Sequence, residues 1–323
     1  MAYVKAVFWN SDERRLRFLW RLALFSLIFV IMLGGVQTLI YFLLPDLSAR
    51  FHDDLAAKDL VLSTIGQIVV FIALIPTLLI IGRWVDRRPF SDYGYHWGRR
   101  WLIDLIFGLL LGSALMTGVF VVEYLAGWVE IVGFMHAPAS LSFAAGILSA
   151  LILFICTAFL EETMMRGYLL HNLAEGLNFK FWNPTVALIL AWIITSSIFG
   201  LLHLGNPHAT VVSSASIAMA GLFLGLGYIL TGDLALPVGV HLTWNFFQGN
   251  VFGFPVSGTS VNSVSFIAIK QRGPETWTGG AFGPEAGIMG LIAIAIGALL
   301  VLGWVRWRTG RLQLQLSIPM PPS

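Results

Sequence analysis

Charge is what this sequence has least of. Only 11% of its 323 residues are charged, while 57% are hydrophobic, and mean hydropathy is +0.82. A soluble domain carries about 25% charged residues, so there is too little polar surface here to cover a water-soluble globule. The net charge is +2, and the basic residues sit in short clusters between apolar runs. Such clusters act as topology signals, and nothing resembles a nucleic-acid-binding patch. Cysteine is almost missing. The single Cys156 lies in an apolar run, which excludes an intramolecular disulfide and a cysteine-built zinc site, and reads as a small apolar filler. A cleavable signal peptide is also not expected: the apolar run from Phe18 is far longer than a signal core and should stay as a helix. No repeat or inverted pair of half-helices is visible, which weakens a transporter reading.

What is present is a series of long apolar runs. A spanning helix needs about 20 mainly apolar residues, and such runs cover 18–44, 60–82, 103–126, 143–165, 185–204, 210–230, 236–254 and 286–305. The sequence therefore predicts one all-α membrane domain over 1–323, a polytopic bundle of about eight spans. Pro237 and His241 interrupt the seventh run, so seven is the alternative count. Thr231-Gly232-Asp233 makes a tight hairpin of the sixth and seventh. Most basic residues fall on one side: Lys5, Arg14, Arg15, Arg17 and Arg21, then Arg83, Arg87, Arg88, Arg99 and Arg100. Arg166, Lys180, Arg306, Arg308 and Arg311 join them, leaving Arg50, Lys58, Lys270 and Arg272 opposite. Both termini are then expected to be cytoplasmic. Acidic 46–59 reads as an external loop or surface helix. Gly- and Pro-rich 255–285 reads as an irregular extramembrane loop, either a connector or a lid. The tail 312–323 reads as frayed.

Ionisable groups inside spans are costly and mark function. Glu161 and Glu162 interrupt the fourth run, and Arg166 lies four residues beyond Glu162, placed to pair with it on one helix face. Glu161 points about 100° away, free to face the bundle interior and act as a general base. The same three could equally be the polar end of a span. His203, after Ser196-Ser197, could face a site or anchor its helix at the interface. His241 and Asn245 are four apart and present two donors to one point, suited to an oxyanion or to helix–helix hydrogen bonds. Together the groups are the parts needed to hydrolyse an amide without a covalent intermediate. By simple rise, Glu161 falls toward the cytoplasmic half of its span and His203 toward the outer end of its own. They meet only if the fourth span continues past Arg166 toward His171.

These residues resemble the motifs of the CAAX prenyl endopeptidase and bacteriocin-processing family, called CPBP or Abi. Glu161-Glu162 with Arg166 resembles its Glu-Glu-x-x-x-Arg motif, with Met165 where an aromatic is usual. Phe199 and His203 resemble Phe-x-x-x-His, and His241 and Asn245 resemble His-x-x-x-Asn. The flanking region 143–254 is similar to the family core, and Arg87-Arg88-Pro89 through Gly94 to the stretch before it. The resemblance implies an intramembrane endopeptidase, resident in a prokaryotic cytoplasmic membrane and acting on a membrane-associated protein or peptide. Glu161 and His203 would activate water, His241 and Asn245 would hold the oxyanion, and Glu162 and Arg166 would support them. The family has been described as metal-dependent and as glutamate-type. Zinc, if used, would fall to Glu161, His203 and His241, although no His-Glu-x-x-His pair is present. A serine type lacks its Gly-x-Ser-Gly, and an aspartyl type lacks a second intramembrane aspartate beside Asp233. An ion- or proton-coupled transporter and a catalytically silent scaffold are the alternatives.

Overall fold

The structure is a computed structural model that describes residues 7–11, 13–44 and 53–321; Lys5, Asp46, Arg50 and Pro322 lie outside these. In hydrocarbon the backbone must satisfy its own hydrogen bonds, so each long apolar run becomes a helix. Helices α1 (Phe18–Leu43), α2 (Leu55–Ile81), α3 (Arg99–Leu125), α4 (Phe143–Glu162), α5 (Pro184–Leu202) and α6 (Val211–Thr231) precede a shorter α7 (Ala235–Phe246) and then α8 (Ile288–Thr309). All but α7 are long and apolar enough to cross a membrane, giving seven among the described residues. This is the lower of the two counts read from the sequence. Helix α7 has 12 residues, with Ala235 to His241 all buried, and continues only through the π-helical Phe247–Val251. It is an interior element wrapped by the others.

Helix starts follow local side-chain chemistry. Asp54 accepts the Ala57 N–H (3.1 Å), Ser142 the Ala145 N–H (3.3 Å), and Asn183 the Val186 N–H (3.0 Å). Residues 55–59 are therefore the first turn of α2 and not part of an external loop. Asp54 also accepts the Ser140 N–H at 3.0 Å and hydroxyl at 2.8 Å, joining the start of α2 to the start of α4.

At the other end of the bundle, Arg21 pairs with Asp86 (3.4 Å) and Glu175 (2.9 Å), and Arg88 reaches Glu175 at 3.3 Å. Arg15 joins the same cluster through Glu175. These arginines, read as topology signals, are buried members of an ion network that ties α1, α2 and the end of α4 together. Arg166 is likewise buried inside the bundle.

Helices α3 and α7 touch backbone to backbone. A Cβ at Gly108 would sit 2.5 Å from the Leu236 carbonyl oxygen, one at Gly112 2.4 Å from that of Val240, and one at Gly239 2.6 Å from that of Leu105. Small residues spaced four apart permit this approach, as in other membrane helix pairs.

Four short strands are present among the described residues. β1 (Trp9–Asn10) pairs with β2 (Arg15–Leu16), and β3 (Val129–His136) with β4 (Ser265–Gln271), both antiparallel. The stretch 255–285 is thus not irregular throughout, since it contains β4 and a helical turn at Glu275–Thr278. The tail is packed as well: the Gln315 N–H donates to the Ile229 carbonyl (2.8 Å), Asn178 to that of Pro319 (3.0 Å) and Arg88 to that of Met320 (2.8 Å). A second aspartate is buried in a span. Asp104 of α3 is held by Trp304 (2.8 Å) and Arg308 (2.8 Å), a bracing role between helices.

Candidate active site

The regular part of α4 ends at the adjacent acids Glu161 and Glu162, and Thr163–Leu170 then winds as a π-helix. Such bulges are rare and concentrate at functional sites. Gly167 lets this turn pass close to its neighbour, because a Cβ there would lie 2.6 Å from the Tyr93 carbonyl oxygen. The helical run continues to Gly176, so the whole span covers Phe143–Gly176. Glu161 lies near its middle. This extension past Arg166 is the condition under which Glu161 and His203 can share one depth.

Glu162 is fully buried and its Oε1 accepts two hydrogen bonds, from Arg166 Nη1 at 2.8 Å and from His241 Nδ1 at 2.8 Å. A carboxylate only accepts, so His241 carries its proton on Nδ1 in this contact. The Nε2 edge of His241 then faces Glu161, whose Oε2 lies 3.8 Å away. Arg166 spends its second nitrogen on the Gly221 carbonyl at 2.8 Å and rests its guanidinium 4.8 Å from the Phe199 ring centre. Phe199 meets His203 (4.8 Å) and His241 (6.3 Å) edge-on. This ring is therefore the packing hub between the three motifs, a role its place in the sequence did not show.

His203 closes α5, and its Nδ1 lies 2.7 Å from the Phe199 carbonyl oxygen. A carbonyl also only accepts, so Nδ1 donates in this contact, and in the neutral imidazole Nε2 is the acceptor. Glu161, His203, His241 and Asn245 line one cavity of about 460 Å³. Glu162 and Arg166 sit behind it. All six residues singled out from the sequence are thus gathered, four on the cavity wall and two hydrogen-bonded behind it. Leu153, Phe154, Phe223, Trp244 and Ile294 make its remaining walls largely apolar.

Two features of the cavity went unread. Gln67 of α2 lines it with a carboxamide oxygen that is buried and has no hydrogen-bond partner among the described residues; a lone amide in an apolar run was a usable signal. Glu285 lines it from the stretch before α8, where nothing in the Gly- and Pro-rich sequence marked it. It is buried and accepts from the Ser257 N–H and hydroxyl and from Gln248 Nε2. Gln248 in turn accepts from Trp244 (2.9 Å) and donates to the Pro255 carbonyl (2.6 Å), while Asn206 donates to the Ser257 carbonyl (2.9 Å). Residues 255–286 are strapped by these bonds to the end of α7 and to the turn after His203. Burial pushes the Glu285 carboxyl up to about 7, with the hydrogen bonds it accepts opposing that rise.

Zinc needs three or four donors converging at about 2 Å. Among the described residues no group of three His, Cys, Asp or Glu side chains is arranged to hold a metal. Glu161, His203 and His241 are not placed as such a group and as placed do not fit the ion, although the Nδ1 contacts of both histidines leave their Nε2 atoms free.

Fold and site together define a polytopic helical membrane protein with a polar constellation at the head of an apolar cavity. Residues 142–247, which hold every one of the six site residues, match the family described as type II CAAX prenyl endopeptidase Rce1-like. The match agrees with the CPBP resemblance and supports a membrane endopeptidase in general terms. No curated protein and no solved structure matches the chain.

Proposed function

We propose that this protein is an intramembrane endopeptidase that hydrolyses a peptide bond in a membrane-associated protein or peptide by a metal-free, glutamate-assisted route. The observation that carries this reading is the shared cavity of Glu161, His203, His241 and Asn245. A water held between the Glu161 carboxylate and the accepting Nε2 of His203 gives its proton to Glu161 and attacks the scissile carbonyl carbon. The resulting oxyanion accepts hydrogen bonds from the Asn245 amide and from His241 Nε2. That nitrogen donates when His241 is the imidazolium, countered by Glu162 at Nδ1 and by Glu161 nearby. Fixed donors of this kind each contribute roughly 100- to 1,000-fold to rate. Collapse of the adduct breaks the C–N bond as Glu161 returns its proton to the leaving amine. Glu162 and Arg166 position His241 and take no proton.

The apolar walls suit a substrate that enters from the bilayer with an apolar or lipid-bearing segment. The family description names a CAAX prenyl endopeptidase, so prenylated CAAX peptides are the first substrates to try. Purified protein with Glu161→Ala should cleave such a peptide at least about 100-fold more slowly than wild type. Its elution on size exclusion and its thermal unfolding should stay unchanged. Undiminished cleavage by the folded variant would sink the mechanism.

A further inference from the structure

A second cavity lies far from this chemistry in the fold. It holds about 840 Å³ and forms where the start of α3, the end of α6, the end of α8 and the tail come together. Helix α3 begins at Arg99, α6 ends at Thr231 and α8 ends at Thr309, so the groove sits at the level where three helices stop. For apolar helices of this length that level is the membrane–water interface. Arg100, Arg308 and Arg311 line it together with Trp304 and Trp307. Trp307 is 77% exposed, as an interfacial tryptophan is.

Two of the three arginine charges are not cancelled in place. Arg308 is set by Asp104 at 2.8 Å, and its Nε is buried with no hydrogen-bond partner among the described residues. Arg100 and Arg311 have no ion pair among the described residues. Among the described residues Asp233 is the one acid on the groove wall, and it is engaged by His96 Nδ1 at 2.8 Å. The floor is fixed, because Gln315 donates from its N–H to Ile229 (2.8 Å) and from its amide to Leu230 (3.1 Å). What results is a preformed polar hollow with unspent guanidinium charge on Arg100 and Arg311, bordered by Ile103, Leu230, Trp304 and the exposed Trp307.

We propose that this groove is a phosphate-binding site at the membrane interface that takes the headgroup of an anionic phospholipid. Guanidinium groups match phosphate oxygens in geometry and charge. The apolar border offers a path for the acyl chains, which a free phosphate would not use. Basic hollows between helices on a cytoplasmic face recognise lipid headgroups in this way.

Native mass spectrometry of the full-length protein, delipidated and then titrated with phosphatidylglycerol or phosphatidylcholine, tests the site. Wild type should retain phosphatidylglycerol with a preference of about thirtyfold, the contribution of two arginines. Arg100→Gln/Arg311→Gln should reduce that preference close to parity, whereas Arg83→Gln/Lys180→Gln, outside the groove, should leave it. Arg311→Gln alone lies beyond the end of α8 and keeps the test available if the double variant misfolds; it should lower the preference about fivefold. Millimolar inorganic phosphate provides the other arm. If it raises the melting temperature of wild type but not of the double variant, with no lipid preference, the ligand is free phosphate and the headgroup assignment falls. Equal retention of both lipids with no phosphate effect, or an unchanged preference in the double variant, would overturn the site altogether.

Discussion

Burial of Glu285 beneath Ser257 and Gln248 raises its carboxyl from 4.5 to about 7, and that shift carries a measurable consequence. The folded state binds this proton more tightly than the unfolded chain does. Its contribution is therefore complete below about pH 4.5 and is lost as pH rises through about 7. The difference amounts to about 3 kcal/mol at most. The melting temperature of the wild type should accordingly fall between pH 5 and pH 8, and Glu285→Gln, always neutral, should flatten that dependence. An identical pH profile for wild type and variant would show that the 255–286 strap is held by other groups. Residue by residue, the six site positions were readable because each is a polar interruption of an apolar run. Glu285 was not readable. Its importance comes from Ser257 and Gln248, which are 28 and 37 positions away and meet it only in the folded chain.

Among the elements, α7 shows how far a helix's role depends on its neighbours. Pro237 and His241 marked it as atypical, yet only the structure reveals a short interior helix pressed onto α3. The contact rests on Gly112, where a Cβ would lie 2.4 Å from both the Val240 oxygen and Thr243 Oγ1. Gly112→Leu should destabilise the protein by about 3 kcal/mol, since backbone cannot move aside as a side chain can. Cleavage should fall with it as His241 is displaced. Gly118→Leu, on the same helix with nothing within 4 Å, should stay within about 0.5 kcal/mol of wild type. Unfolding and cleavage assays on the two variants decide the matter, and equal effects would refute the close crossing. The β3–β4 pair escaped the sequence reading for a comparable reason. Its strands lie more than 120 positions apart, as Val129 opposite Gln271 shows, so no local turn signal announces it.

For the molecule as a whole, the expected orientation places the basic ends of α3 and α8 in the cytoplasm. Cys156 is buried, which allows single-cysteine reporters on exposed positions. With a membrane-impermeant maleimide, Arg306→Cys should label only after permeabilisation, while His136→Cys should label in intact cells. The reverse pattern would invert the topology. Composition and apolar run length by themselves determined a polytopic helical bundle, because in hydrocarbon the polar backbone must satisfy its own hydrogen bonds and apolar runs of about 20 residues do so as helices. The order and spacing of Glu161-Glu162, Arg166, His203, His241 and Asn245 determined which residues to examine. Tertiary structure alone decided that they meet, through the unbroken continuation of α4 to Gly176 and the interior placement of α7. It also decided that several arginines counted as topology signals are buried ion partners, and that the tail is packed. Those outcomes depend on contacts between segments distant in sequence, and such contacts are set by how helices pack, not by what any one of them is made of.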